Sequence, residues 1–189
     1  MPADDARFAH ATGRLAIGSL EPGEGDTWIV AQYNPRELTI TQPVTWAEHR
    51  PAAAQTPDSM YLDFGGMQPR TVQVELLFDG AESGGRVSLD ANAKTVMESL
   101  FVLKKLAEVI DPYSRDEERR RPHFCLVTWG DGDFPKFCGV IESLAVKYQM
   151  WARDGTVLRA TATVSLKEAS KVGLAEKARP KNRVKGERS

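Results

Sequence analysis

Alternation of apolar and polar positions is sustained longest between Phe137 and Ala169. In its first half Val140, Leu144, Val146, Tyr148 and Met150 fall on one face, which Glu142 interrupts. Ser143, Lys147 and Gln149 point the other way. In its second half Leu158, Ala160, Ala162, Val164 and Leu166 share one face, and Arg159, Thr161, Thr163 and Ser165 the other. A period of two, held twice, predicts two half-buried strands. Arg153-Asp154-Gly155 lies between them and carries the Asp-Gly turn signal, so the predicted unit is a long β-hairpin.

Shorter runs of the same kind precede it. Arg14 to Leu20 sets Leu15 and Ile17 against Ala16 and Gly18, a weak first strand. Trp28 to Tyr33 reads as a second strand, ended by Asn34-Pro35. Leu38, Ile40, Gln42, Val44 and Trp46 then alternate with Thr39, Thr41, Pro43 and Thr45. Pro43 inside that third strand predicts an edge position or a bulge. Tyr61 to Phe64 leads through Gly65-Gly66 to a further strand, Arg70 to Phe78, and His123 to Trp129 is another.

One segment has a different period. Val96, Leu100, Leu103, Ala107 and Ile110 recur at helical spacing, widened by Phe101, Val102, Leu106 and Val109. Asp90 or Asn92 is the expected cap, and Asp111-Pro112 the expected stop. The stripe is read as core. About seven strands and one central helix predict a mainly β (α+β) fold. Two packed antiparallel sheets or a partly closed barrel would bury the apolar faces, with the helix over an open end. Residues 1–13 are expected to be a flexible N-terminus, 14–169 the domain, and 170–189 a flexible tail.

Charge changes this picture at one end only. The 189 residues carry a net −1. Lys171 to Ser189 holds seven Lys or Arg against two Glu, so the preceding body carries −6. No apolar run reaches the roughly 18 residues of a membrane span, and Met-Pro-Ala-Asp-Asp has no secretory signal pattern. The basic tail would attract phosphates, but it has no aromatic residue for base stacking.

Chemistry is sparse. No phosphate loop, dinucleotide fingerprint, metalloprotease or nucleophile-elbow motif occurs. His123, Cys125 and Cys138 are the one cluster with zinc-ligand types, yet a closed site needs four ligands, and buried apolar thiols are the plainer reading. Asp131 and Asp133 suit a polar turn better than a calcium loop. The charged loop from Ser114 to Arg121 reads as a solvated segment or as an interface for a neighbouring subunit. The expectation is therefore no enzyme, no cofactor and no metal. A chain with long two-faced strands and no chemistry suits assembly through strand edges and closed symmetry. The alternative is a small β-barrel binding metal or nucleic acid.

Several stretches together resemble one family. These are Val30-Ala-Gln-Tyr-Asn-Pro-Arg-Glu-Leu38 followed by Trp46, Leu62-Asp-Phe-Gly-Gly66, and Thr71 to Asp79. Arg121-Pro122-His123-Phe124 with Trp129-Gly130, Phe137 to Leu144, and Tyr148 to Leu166 complete the set. Their order and spacing resemble the tube-type proteins of contractile injection systems, the phage-tail-like particles with sheath, inner tube and spiked baseplate. The resemblance implies a tail-tube fold: two packed antiparallel sheets forming a small barrel, one flanking helix and a long C-terminal hairpin. It implies a homohexameric ring whose hairpins line a lumen. It also implies a place at the baseplate between spike and first tube layers, with the spike protein and adjacent tube-initiator or baseplate proteins as partners. Synthesis in the bacterial cytoplasm and incorporation into a released particle follow from the same likeness. Relatives of this pattern often carry a LysM module, in whose place this sequence has a basic tail. On this reading Arg159, Thr161, Thr163 and Ser165 are the candidate lumen face. Arg50, Asp58, Arg119, Arg120 and Arg121 are candidate contacts between rings.

Overall fold

A computed structural model of the chain describes residues 13–24, 26–49, 61–83, 86–87, 94–130 and 134–169. The expected flexible ends lie almost wholly outside these residues, as do Asp90, Asn92, Asp131, Asp133, Arg50 and Asp58.

Alternating sequence becomes strand almost everywhere. In chain order the strands are β1 (Leu15–Ser19), β2 (Trp28–Val30), β3 (Leu38–Thr41), β4 (Val44–His49), β5 (Tyr61–Met67) and β6 (Thr71–Asp79). Two short strands, β7 (Arg86–Val87) and β8 (Lys94–Thr95), precede helix α1 (Val96–Ala107). Then come β9 (Phe124–Trp129), β10 (Phe137–Trp151) and β11 (Val157–Glu168). Seven of them form one antiparallel sheet in the order β2-β1-β9-β10-β11-β6-β3. β4 with β5, and β7 with β8, form two-stranded ribbons.

One face of the large sheet carries the core. Val72, Val74, Leu76 and Phe78 of β6 and Ala160, Ala162, Val164 and Leu166 of β11 are all buried there. Leu15 and Ile17 of β1 and Cys125 and Val127 of β9 extend it. Helix α1 closes it with Val96, Leu100, Leu103 and Leu106. Thr95 caps this helix: its hydroxyl accepts from the Glu98 amide at 3.1 Å, and the Glu98 carboxylate accepts from the Thr95 amide at 2.7 Å. That reciprocal box fixes the start later than Asp90 or Asn92 would. The helix also stops early, at Ala107, and Val109 instead forms a β-bridge with Pro122. Ile110 therefore lies outside the helix, and Phe101, expected on the apolar stripe, is 65% exposed.

β10 and β11 are joined by a tight turn. The Ala152 amide donates to Thr156 O, the Gly155 amide to Ala152 O, and the Thr156 amide to Asp154 Oδ1. Gly155 sits at φ +87°, a conformation that glycine adopts without strain. The register between the two strands slips between Ile141 and Ser143. This bulge reverses the parity of β10. Ile141 faces the core opposite Leu166, whereas beyond the bulge Leu144 and Val146 face it opposite Val164 and Ala162. Val140, expected on the face of Leu144, is therefore on the other side, opposite Lys167. Glu142 interrupts the pattern because it is the inserted residue. A second slip places Met150 opposite Arg159, while Tyr148 stands opposite Ala160.

The third strand of the sequence reading is broken at Gln42-Pro43 into β3 and β4. Opposite it, Gln68 to Arg70 separates β5 from β6. The Gln68 amide donates to Pro43 O at 3.0 Å and Gln42 Nε2 to Gln68 O at 2.7 Å, so the kinked hairpin stays connected. Where the sequence predicts two packed sheets or a partly closed barrel, the described residues form two short ribbons and one seven-stranded sheet. Its order ends at β2 and β3, and no ladder joins these two among the described residues. A side chain spans part of the gap. Just after β2, Gln32 donates from Nε2 to Asp79 O and accepts from the Asp79 amide at Oε1, both at 2.7 Å. One amide side chain thereby satisfies both backbone groups at the end of β6, as a paired strand residue would.

Candidate assembly surface

The face of the sheet turned away from the core is polar. Its centre is Arg159, Thr161, Thr163 and Ser165 of β11, so the four candidate lumen residues do share one surface. On one side they pair with Lys147, Ala145 and Ser143 of β10, and on the other with Asp79, Leu77, Glu75 and Gln73 of β6. Beyond β6 the face continues to Thr39 and Thr41 of β3. Charges on it are balanced. Arg159 gives two hydrogen bonds to Asp79 Oδ2, at 2.9 and 2.6 Å, and this guanidinium holds the Asp79 carboxyl below the usual carboxylate range. Arg159 is thus anchored, and Thr161 is nearly covered by its neighbours at 9% exposure.

The three loop arginines part company. Arg119 and Arg120 are exposed, and Arg120 makes a 3.3 Å pair with Glu117. Arg121 is built into the fold. Its Nη1 donates to Glu21 Oε1 at 2.8 Å, and its guanidinium lies 4.2 Å from the Phe124 ring centroid. Glu21 also accepts from the Phe124 amide at 3.1 Å. Beside this pair, buried His123 Nδ1 and Ser19 Oγ are 2.9 Å apart, and the Ser19 hydroxyl accepts from the Glu21 amide. Lys105 of α1 reaches Glu24 at 2.6 Å and Thr27 at 3.0 Å. The network fastens the loop before β9 to the β1–β2 connection and to the helix. Arg121 was a candidate contact in the sequence; only its Glu21 partner, a hundred residues away, shows the inward role.

The zinc-type residues are not gathered. His123 faces Ser19, Cys125 is buried in the core, and Cys138 is exposed. Burial pushes the Cys125 thiol up to about 12, the opposite of what a metal thiolate needs. Among the described residues no three His, Cys, Asp or Glu lie together as a metal site would require. No helix among them is long and apolar enough to cross a membrane.

Acid should loosen this structure in two steps. Burial lowers the His123 pKa, against the opposing pull of Glu24 and Glu21, so the folded state favours the neutral ring. Below the unfolded value of about 6.5, the unfolded chain binds the proton first, and stability declines until the lowered folded value is passed. Glu24, Asp79 and Glu168 are held low by hydrogen bonds from Lys105, Arg159 and Arg70. Their contribution is complete above the ordinary carboxylate range and vanishes as pH falls through the lowered values. Thermal melts between pH 7.5 and 3 should show both declines. His123→Gln should flatten the first and leave the second.

One apolar strip lies open to solvent among the described residues. In the β4–β5 ribbon Val44, Trp46, Leu62, Phe64 and Met67 are all between 42% and 65% exposed. Trp46 and Phe64 pack edge to face with centroids 5.4 Å apart. The register slip between Thr45 and Trp46 leaves Gly65 unpaired and keeps Met67 on the side of Phe64. Alternation alone reads such a strip as core. Among the described residues this two-stranded ribbon beyond the sheet has no second layer to cover it, and such ribbons are marginal in isolation.

Two surfaces are therefore uncovered among the described residues, the polar face of the large sheet and the apolar strip of the β4–β5 ribbon. No curated protein matches this chain. The family model described as contractile injection system tube protein matches residues 18–177, most of the chain. The chain therefore belongs to the contractile injection system tube proteins.

Proposed function

We propose that this tube component forms a homohexameric ring at the baseplate end of the particle and connects the spike to the first tube layers. The observation that carries the ring reading is the uncovered polar face. It is four strands wide, from β10 to β3, its charges are balanced, and small hydroxyl side chains run down its middle. Apart from Leu77 and Met150, such a wall offers a passing cargo little apolar surface to stick to and no field of one sign. Arg159, Thr161, Thr163 and Ser165 then line the lumen, and closure of the barrel is completed between copies. Arg119 and Arg120 remain available for contacts between layers, and Arg50 and Asp58 are assigned to the same contacts. The partners are further copies of the chain, the spike protein and the adjoining tube-initiator proteins. Assembly follows synthesis in the bacterial cytoplasm.

Native mass measurement and negative-stain imaging test this reading, on the protein alone and co-expressed with its spike. Rings of six with a stain-filled centre that cap the spike are expected. A chain that stays monomeric in both settings, or rings that never join the spike, would reject the proposal in its respective part.

A further inference from the structure

One buried titratable group takes no part in the polar wall. His123 is 2% exposed, and its Nδ1 lies 2.9 Å from Ser19 Oγ. The Glu21 amide donates to that same oxygen at 3.0 Å. The Ser19 proton therefore points away from this amide, and Nδ1 is the acceptor beside it, which requires a ring unprotonated at Nδ1. Four charged groups surround the ring: Glu21 and Glu24 from the β1–β2 connection, Lys105 from α1, and Arg121 from the approach to β9. The two cations are already engaged, Arg121 with Glu21 at 2.8 Å and Lys105 with Glu24 at 2.6 Å.

We infer that His123 makes this network an acid-sensitive latch: a proton on its ring draws Glu21 away from Arg121 and frees the segment from Asp111 to Arg121. A protonated Nδ1 can only donate, so the Ser19 hydroxyl loses its acceptor at a position that is 4% exposed. The new cation stands beside Arg121 and Lys105 and must share a carboxylate that one of them uses, because a buried charge left unpaired is costly. Arg121 has little else to hold it. Its buried Nε has no partner among the described residues, and beyond Glu21 its guanidinium meets Pro122 O at 3.1 Å and the Phe124 ring. The segment it fastens lies on the surface: Tyr113, Arg115, Asp116, Arg119 and Arg120 are all exposed. Its base is tied by the Val109–Pro122 bridge and by the Ile110 and Asp111 amides, which donate to Arg121 O and Arg119 O. Burial favours the neutral ring in the closed state. The latch is therefore shut at neutral pH and weakens as pH falls from the ordinary histidine value of about 6.5 to the lowered value of the closed state. Arg119 and Arg120 ride on this segment; their use as contacts between layers rests on the ring reading, and the latch itself does not.

Hydrogen exchange of the full chain, corrected for the intrinsic rate at each pH, tests the latch between about pH 7.5 and 4.5. Amides from Ile110 to Arg121 should lose protection by up to about tenfold per pH unit, the limit for one proton, while those of β6 and β11 keep theirs. His123→Asn places a non-titrating amide where Nδ1 lies, and its segment should stay protected over the same range. Protection lost in step with β6 and β11 would be general acid unfolding and would overturn the latch. So would a loss in His123→Asn equal to that of the native chain, since the carboxylates would then be responsible. Should this variant fail to fold, the native chain decides by NMR titration of its histidine rings: a loss of protection that begins only below the midpoint of His123 overturns the latch. A chain that forms no rings at any pH overturns the ring reading and leaves the latch to the exchange data.

Discussion

Gly139→Ala is expected to be the most damaging single methyl group in the molecule. A Cβ at Gly139 would lie 2.3 Å from Lys167 O, 2.9 Å from Lys167 C and 3.0 Å from Phe137 Cε1. Two of these atoms belong to the backbone of β11, so no side-chain rotation relieves the overlap. Gly139 pairs with Glu168 on one side and with Cys125 on the other. Moving it disturbs the junction of β9, β10 and β11, where Phe137 and Ile141 enter the core. A methyl that forces backbone apart costs at least the upper end of overpacking, about 3 kcal/mol. Urea titration followed by tryptophan fluorescence would measure it. A loss below about 1 kcal/mol would show that the strands can separate without penalty, contrary to this account.

Glu21→Gln should come next. The Glu21 and Arg121 side chains are 11% and 19% exposed, which puts their pair out of reach of full solvent screening. The Glu21 carboxylate serves both Arg121 and the Phe124 amide. The buried Arg121 Nε has no hydrogen-bond partner among the described residues, so the cation depends on the bonds at its outer nitrogens. Glutamine keeps the shape and removes the charge. Breaking a buried pair from one side costs about 3 kcal/mol, because a desolvated cation is left behind. The double variant Glu21→Gln/Arg121→Met should recover part of this loss, since both charges are then gone. Chemical denaturation of Glu21→Gln, Arg121→Met and the double variant would decide it. A double variant as unstable as the sum of both singles would mean that the groups do not act as a pair.

Strand and helix were legible in the sequence because period is a local property. Ala160, Ala162, Val164 and Leu166 point inward as alternation requires, and Leu100 and Leu103 face the core as helical spacing requires. The helix start was misplaced because hydrophobic spacing marks a face and no boundary; the Thr95–Glu98 box sets the boundary through two hydrogen bonds. Val140 was assigned to the wrong face because one inserted residue, Glu142, reverses every position behind it. The polar surface was partly legible as well, in the run Arg159, Thr161, Thr163 and Ser165. Its width was not, since Gln73, Glu75, Ser143 and Lys147 join it only through strand order.

Arg121 carries the same lesson about charge. Within Arg119 to Arg121 the three side chains are chemically alike. One is turned inward because Glu21, a hundred residues away, waits there; the other two stay on the surface. The sequence by itself determined which residues alternate, where the chain turns, and which family the chain resembles. Tertiary structure alone decided which strands are neighbours, which edges stay bare, which apolar faces find no cover, and which charges are absorbed. Each of those depends on segments far apart in the chain coming together, and a local pattern of side chains holds no information about that meeting.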